Sequence, residues 1–223
     1  MGDDDRRLLN DSILHATIVR QDQPSDDDSS IYHVFERLNT GGTALTPQEI
    51  RASIYHGSFN DMLRKVNDDS NWRQLFGRKS EKLRDEELIL RFLALDANYQ
   101  GYEKPMKSYL NSFMGSRRND EPPELAVLAT RFVQTVRLIA ECIGESAFRP
   151  KKTLNAAVYD SVMVGVAHRL DEGTISDRAS LNSAYEHLMD DEAFVEATSA
   201  KTSDQESVLK RIQLAEAAFR QAQ

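Results

Sequence analysis

Residues 31–56 read IYHVFERLNTGGTALTPQEIRASIYH. Ile31, Val34, Phe35 and Leu38 fall at i, i+3, i+4 and i+7, which is one face of a helix. Asn39 and then Gly41-Gly42 stop it, because glycine accepts the left-handed conformation that a helix end demands. A second helix follows with a full set of start signals. Thr46 stands at the N-cap, Pro47 at the first helical position and Glu49 completes a capping box; Leu45 and Ile50 are placed for a hydrophobic staple. The stretch therefore predicts helix, tight glycine turn, helix.

Working outward toward the C-terminus, the same helical period recurs. Leu88, Phe92 and Leu95 mark one helix. Met106, Tyr109, Leu110 and Phe113 mark another, opening near Pro105. After Pro122-Pro123 comes a long stripe of Leu125, Leu128, Phe132, Val136, Ile139 and Ile143, closed by Gly144. Residues 154–169 are apolar over a wide arc, which predicts a central, buried helix. Leu181 and Leu188 mark a helix near 180–188. The last helix is expected to open with a capping box, Ser203 and Glu206, and to bury Val208, Ile212, Ala215 and Phe219.

Toward the N-terminus the pattern changes. Thr17, Ile18 and Val19 form a β-branched run, so residues 12–20 read as a strand. The polar segment QDQPSDDDSS, residues 21–30, then reads as a loop. Its run Asp26 to Asp28 suits either a solvated stretch before a helix N-terminus or the hard-oxygen ligands of Mg²⁺.

Composition narrows the functional classes. With 223 residues, 40% hydrophobic and 29% charged, the chain has a globular balance. The formal net charge of −8 argues against a protein that simply coats DNA, whose affinity comes from neutralising phosphates, and leaves room for a local basic patch. The single cysteine, Cys142, excludes an internal disulfide and reads as a buried thiol. No apolar run reaches the roughly 18 residues of a membrane span. The acidic start, MGDDDRR, is unlike a signal peptide, so a cytoplasmic location with no membrane partner is expected. His15, His33, His56, His168 and His187 stand at no metal-ligand spacing, and no phosphate loop or nucleophile elbow is present. No catalytic residue and no metal ligand is assigned on chemistry alone.

The segment FERLNTGGTALTPQEIR, residues 35–51, closely resembles the signature of the GmrSD-type restriction endonuclease N-terminal family, a ParB-like family. The wider stretch 31–63 carries the same resemblance. NWRQLFGRKSEKLRDEELILRFLAL (71–95), YEKPMKSYLNSFM (102–114) and TSAKTSDQESVLKRI (198–212) are similar to that family's helical extension, in order. The resemblance implies a mainly α fold: a helical bundle over residues 61–223, preceded by a partial ParB-like core over residues 1–60 with a short N-terminal strand. It also implies a nucleoside triphosphate with Mg²⁺ in the complete domain. Asn39 and Leu45-Thr46-Pro47-Gln48-Glu49 match the two motifs that approach the nucleotide in ParB-type domains. Gly41 and Gly42 fall where ParB carries Gln-Arg, so backbone N–H groups would replace those side chains. The nucleotide-binding candidates are Asn39, Thr40, Gly41, Gly42 and Thr43, with Glu36, Gln48 and Glu49 in support.

The same residues also suffice as a plain helix-to-helix turn. Glu49 reads more readily as a cap than as a catalyst, and Arg37 and Arg51 suit either phosphate contact or core pairing. The family's upstream Asp-Gly-Gln-Gln-Arg motif has no match here, nor has a His-Asn-His nuclease motif; Asp5-Arg6-Arg7 is not equivalent. The chain is thus expected to be a truncated component of a restriction or phage-defence protein, not catalytic alone. It would complete a nucleotide-binding or DNA-targeting assembly with a complementary ParB-like half or a nuclease partner. The competing expectation is a non-catalytic helical interaction module or gene remnant. For DNA contact the candidates are Arg78, Lys79, Lys82 and Arg84, with a second basic group at Arg149, Lys151 and Lys152.

Overall fold

The computed structural model describes residues 7, 11–13, 34, 37, 44–175 and 177–222. Ten α-helices occupy them, and no strand is present among the described residues. In order these are α1 (Pro47–Ile54), α2 (Ser58–Val66), α3 (Ser70–Phe76), α4 (Arg84–Asn98), α5 (Met106–Ser116), α6 (Pro122–Cys142), α7 (Ala156–Asp171), α8 (Arg178–Asp190), α9 (Glu192–Ser199) and α10 (Gln205–Phe219). A single 3₁₀ turn, Tyr99–Gly101, extends α4. The chain is mainly helical, as expected. Of the helix expected at 31–38, Val34 and Arg37 are described and both are helical. The strand expected at 12–20 lies outside the described residues except for Ser12 and Ile13, which are irregular.

Short polar residues start many of these helices, each accepting from backbone N–H groups that a first turn leaves without partners. Asp69 accepts from Asn71 and Trp72 to start α3, and Asn155 accepts from Ala157 and Val158 to start α7. Asp177 and Asp191 do the same for α8 and α9. At α1 the expected capping box is present, with Thr46 and Glu49 bonded in both directions and Pro47 at the helix start. At α10 the cap falls one residue later than expected: Asp204 is the N-cap, and the Ser203 carbonyl instead accepts from the Tyr102 hydroxyl at 2.8 Å.

α7 is the centre of the bundle. Residues 157–167 are buried without interruption, which explains why its sequence lacks a polar face. α10 packs along it more extensively than any other pair of elements, with α4 and α6 also against it. Gly165 makes the α7–α10 approach possible: a Cβ there would lie 2.9 Å from Phe219 Cδ2 and 3.0 Å from the Ala215 backbone. On the opposite side α3 and α2 cover α6, and Trp72 of α3 sits among Phe76, Phe132 and Tyr159, with ring centroids 5.2–5.7 Å away. The expected stripe of α6 is only partly core. Phe132, Val136 and Ile139 are buried, whereas Leu125 and Leu128 are half-buried. Cys142 is also half-buried rather than enclosed, because it lies in the last turn of α6, just before Gly144 (φ +85°) ends the helical run.

One charged cluster lies inside. Asp160 of α7 accepts from Arg91 of α4 at 3.0 and 2.5 Å and from Arg211 of α10 at 2.9 Å. Asp160 and Arg211 are 0% exposed. A carboxylate shared by two guanidiniums ties three helices at one point, and its desolvation is tolerable only because the charges are paired.

Candidate anion-binding edge

In the sequence, α1 follows shortly after the Gly41-Gly42 pair. Its first turn closes on itself: the Thr46 N–H donates to Glu49 Oε2 at 2.7 Å, and the Glu49 N–H donates to Thr46 Oγ1 at 3.3 Å. The first of these bonds chiefly holds the Glu49 carboxyl below its usual range. Thr46 also reaches across the molecule, its hydroxyl donating to the Lys82 carbonyl at 3.1 Å. Lys82 Nζ lies 3.5 Å from Glu49 Oε1. The start of α1 is thus joined to the loop between α3 and α4.

That loop, residues 77–83, is held firmly. Asp85, fully buried at the start of α4, accepts from Asn67, from Arg73 and from the Ser80 N–H at 3.0–3.2 Å. Asn67 in turn accepts from the Trp72 indole at 2.9 Å and from Arg73 at 2.7 Å. The loop's polar backbone is therefore anchored below while its basic side chains face outward. Arg78, Lys79, Lys82 and Arg84 are all exposed. Lys79 pairs with Asp68, and Lys82 with Glu49.

Of the second basic group, Arg149 reaches the chain just ahead of the first. Arg149 donates to the Leu75 carbonyl at 2.5 Å and to the Phe76 carbonyl at 2.8 Å, the last carbonyls of α3, and to Glu145 O at 3.0 Å. Arg149 thus caps α3 and staples the loop after it to the segment before α7. Lys151 and Lys152, exposed, follow directly.

The sequence-predicted residues fall into three groups. Asn39, Thr40, Gly41, Gly42, Thr43 and Glu36 lie outside the described residues, as do Asp26, Asp27 and Asp28. Gln48 and Glu49 have structural tasks. Gln48 is 1% exposed and accepts from Arg51 Nε at 2.8 Å, with its own Nε2 unpartnered, and Glu49 forms the cap. Arg51 is a core-pairing residue, buried against Gln48, Glu87 and Asn111; Arg37 is exposed. In the third group, Arg78, Lys79, Lys82 and Arg84 are all exposed; Lys82 contacts the start of α1, and Lys79 pairs with Asp68. The structure adds Arg149 as a staple, which a reading of the local basic run did not separate from Lys151 and Lys152. Its Leu75 and Phe76 partners lie over 70 residues away, and no local signal marks them.

A second cluster went unread in the sequence. His168 of α7 lies with Nδ1 2.6 Å from Glu216 of α10 and Nε2 3.4 Å from Asp96 of α4. Arg131 of α6 binds the same Asp96 at 2.9 and 3.1 Å and also Asp171. The hydrogen bond to Asp96, joined by that to Glu216, outweighs desolvation and raises the imidazole pKa to about 9. These pairs tie four helices together. Among the described residues, no group of three His, Cys, Asp or Glu side chains is arranged to hold a metal, and no helix is long and apolar enough to cross a membrane.

No family model matches the chain, and no curated protein or solved structure is similar to it.

Proposed function

We propose that this chain is the helical component of a ParB-like, GmrSD-type restriction or phage-defence assembly, binding a nucleoside triphosphate with Mg²⁺ at the glycine turn together with a partner. The partner supplies the Asp-Gly-Gln-Gln-Arg half, or a nuclease. One observation carries this reading: Thr46 and Glu49, immediately after the turn, contact Lys82 of the basic loop. The start of α1 and the basic loop adjoin at one edge, where triphosphate charge would meet cations as well as the backbone N–H groups of a helix start. Gln48 and Glu49 support the site by setting the start of α1, and are not phosphate ligands. The buried Gln48–Arg51–Glu87 network fixes α1 on the bundle beneath. Titration with ATP, GTP and CTP in the presence of Mg²⁺ tests this. Saturable binding of one of them, lost in Asn39→Ala, is expected; no binding of any, alone or with the complementary half, would contradict it.

A second reading has its own observation. An apolar groove of about 730 Å³ runs between α2 and α6, lined by Met62, Val66, Leu125, Ala129 and Val133, and Val127 beside it is 69% exposed. Surfaces of this kind take partner helices or loops. A chain that is purely such a module would bind neither nucleotide nor nucleic acid.

A further inference from the structure

We infer that the groove between α2 and α6 is filled by a second copy of this chain, the two α6 helices lying antiparallel about a twofold axis near Thr130. This goes beyond the nucleotide reading and stands without it, since the face shares no residue with the turn or with the loop at 77–83.

The outward stripe of α6 departs from the rest of the chain. A surface helix turns charged side chains to water, and 29% of this chain is charged. Along the first turns of α6 the stripe reads Pro123, Ala126, Val127, Thr130 and Gln134, all exposed and none charged. Charge returns at Arg137, where the stripe continues. The ridge has a groove on each flank: the one of about 730 Å³ against α2, and a smaller one of about 370 Å³ along Val127 and Arg131. Ala126, Thr130 and Gln134 border both. A ridge between grooves fits a second ridge of the same shape, each entering the groove of the other.

The direction of pairing follows from charge. Two contacts show that α2 and the first half of α6 run the same way. At the start of α2 the Ser58 hydroxyl donates to the Asp120 carbonyl, just before α6, at 2.9 Å. Past the end of α2, Trp72 meets Phe132, midway along α6, with ring centroids 5.6 Å apart. The larger groove therefore has Asp61 and Pro122 at one end and Asp69 and Gln134 at the other. Asp61 is exposed and held only loosely by Arg64, at 3.6 Å. Arg137, at the far end of the stripe, is exposed and paired with Glu141 on its own helix; such surface pairs are weak and open to exchange.

An antiparallel copy centred on Thr130 brings its Arg137 to the level of Pro123, beside Asp61, and the twofold axis makes the pair twice. The same register sets Ala126 against Gln134. It also sets Val127, the exposed apolar ridge residue, against Val133, which lines the groove. A parallel copy would instead place Asp61 beside Asp61 and bring the two helix N-termini, both positive, together.

Sedimentation velocity of the full chain across a concentration series tests this. A reversible species of twice the chain's mass is expected. Val127→Glu puts a charge on the axis side of the ridge and should leave only monomer; the side chain is exposed in the single copy, so an unchanged helical circular dichroism spectrum is expected. Asp61→Arg and Arg137→Asp should each weaken the dimer by about tenfold, because two rim pairs become like charges. The two reversals combined in one chain should restore it. A monomer at every concentration overturns the inference and leaves the groove to a different protein. A dimer untouched by Val127→Glu, or a double reversal no tighter than the single ones, overturns it as well. So does a monomer whose melting temperature falls in Val127→Glu, which would give the groove to another part of the same chain. Nucleotide titration reads the turn separately, so failure of either reading is distinguishable.

Discussion

Asp160 answers two guanidiniums where water does not reach. Asp160→Ala leaves both buried cations without a counter-charge, and an unfolding free energy lower by about 3–5 kcal/mol is expected in urea melts. The exposed pair Arg220–Glu172 is the contrast: Arg220→Ala should change stability by less than about 1 kcal/mol. His168 makes a pH prediction. Its folded pKa of about 9 lies above the unfolded 6.5, so its contribution is complete below pH 6.5 and lost as pH rises through 9. The gap in melting temperature between the chain and His168→Gln should therefore narrow over that interval; a constant gap would contradict it. Asp96, Glu216, Arg131 and Asp171 face this imidazole or its partners, so the comparison with the variant is needed to isolate it.

At the scale of elements, Gly165 marks the seam between α7 and α10. Gly165→Val would press against Phe219 and the Ala215 backbone, and a loss of about 1–3 kcal/mol or more is expected in thermal or denaturant melts. Thr46→Ala removes the N-cap of α1 and its bond to Lys82, with an expected loss of about 1 kcal/mol. These two elements also show what the sequence could and could not disclose. The cap of α1 was legible because Thr46, Pro47 and Glu49 act within one turn. The burial of α7 was legible because its apolar arc is continuous. The short helices α2, α3 and α9 carry too few turns for a clear period, and the long stripe of α6 overstated its burial because its first leucine, Leu125, lines a groove. Ser203 looked like the cap of α10, but a tertiary contact from Tyr102 takes its carbonyl and the helix begins after Asp204.

For the whole molecule, the bundle works as a platform that brings one edge together. The basic residues of 77–84 were readable as a run, but the contact of Lys82 with the start of α1 and the tie of Arg149 to the end of α3 rest on bonds that span long intervals of chain. Hydrogen–deuterium exchange of the chain with and without each nucleoside triphosphate and Mg²⁺ tests the central claim most directly. The account predicts slowed exchange in the peptides that contain the glycine turn, the first turn of α1 and residues 77–84, and little change in α8 and α10. Protection confined to α8 and α10, or none with any triphosphate, would contradict it.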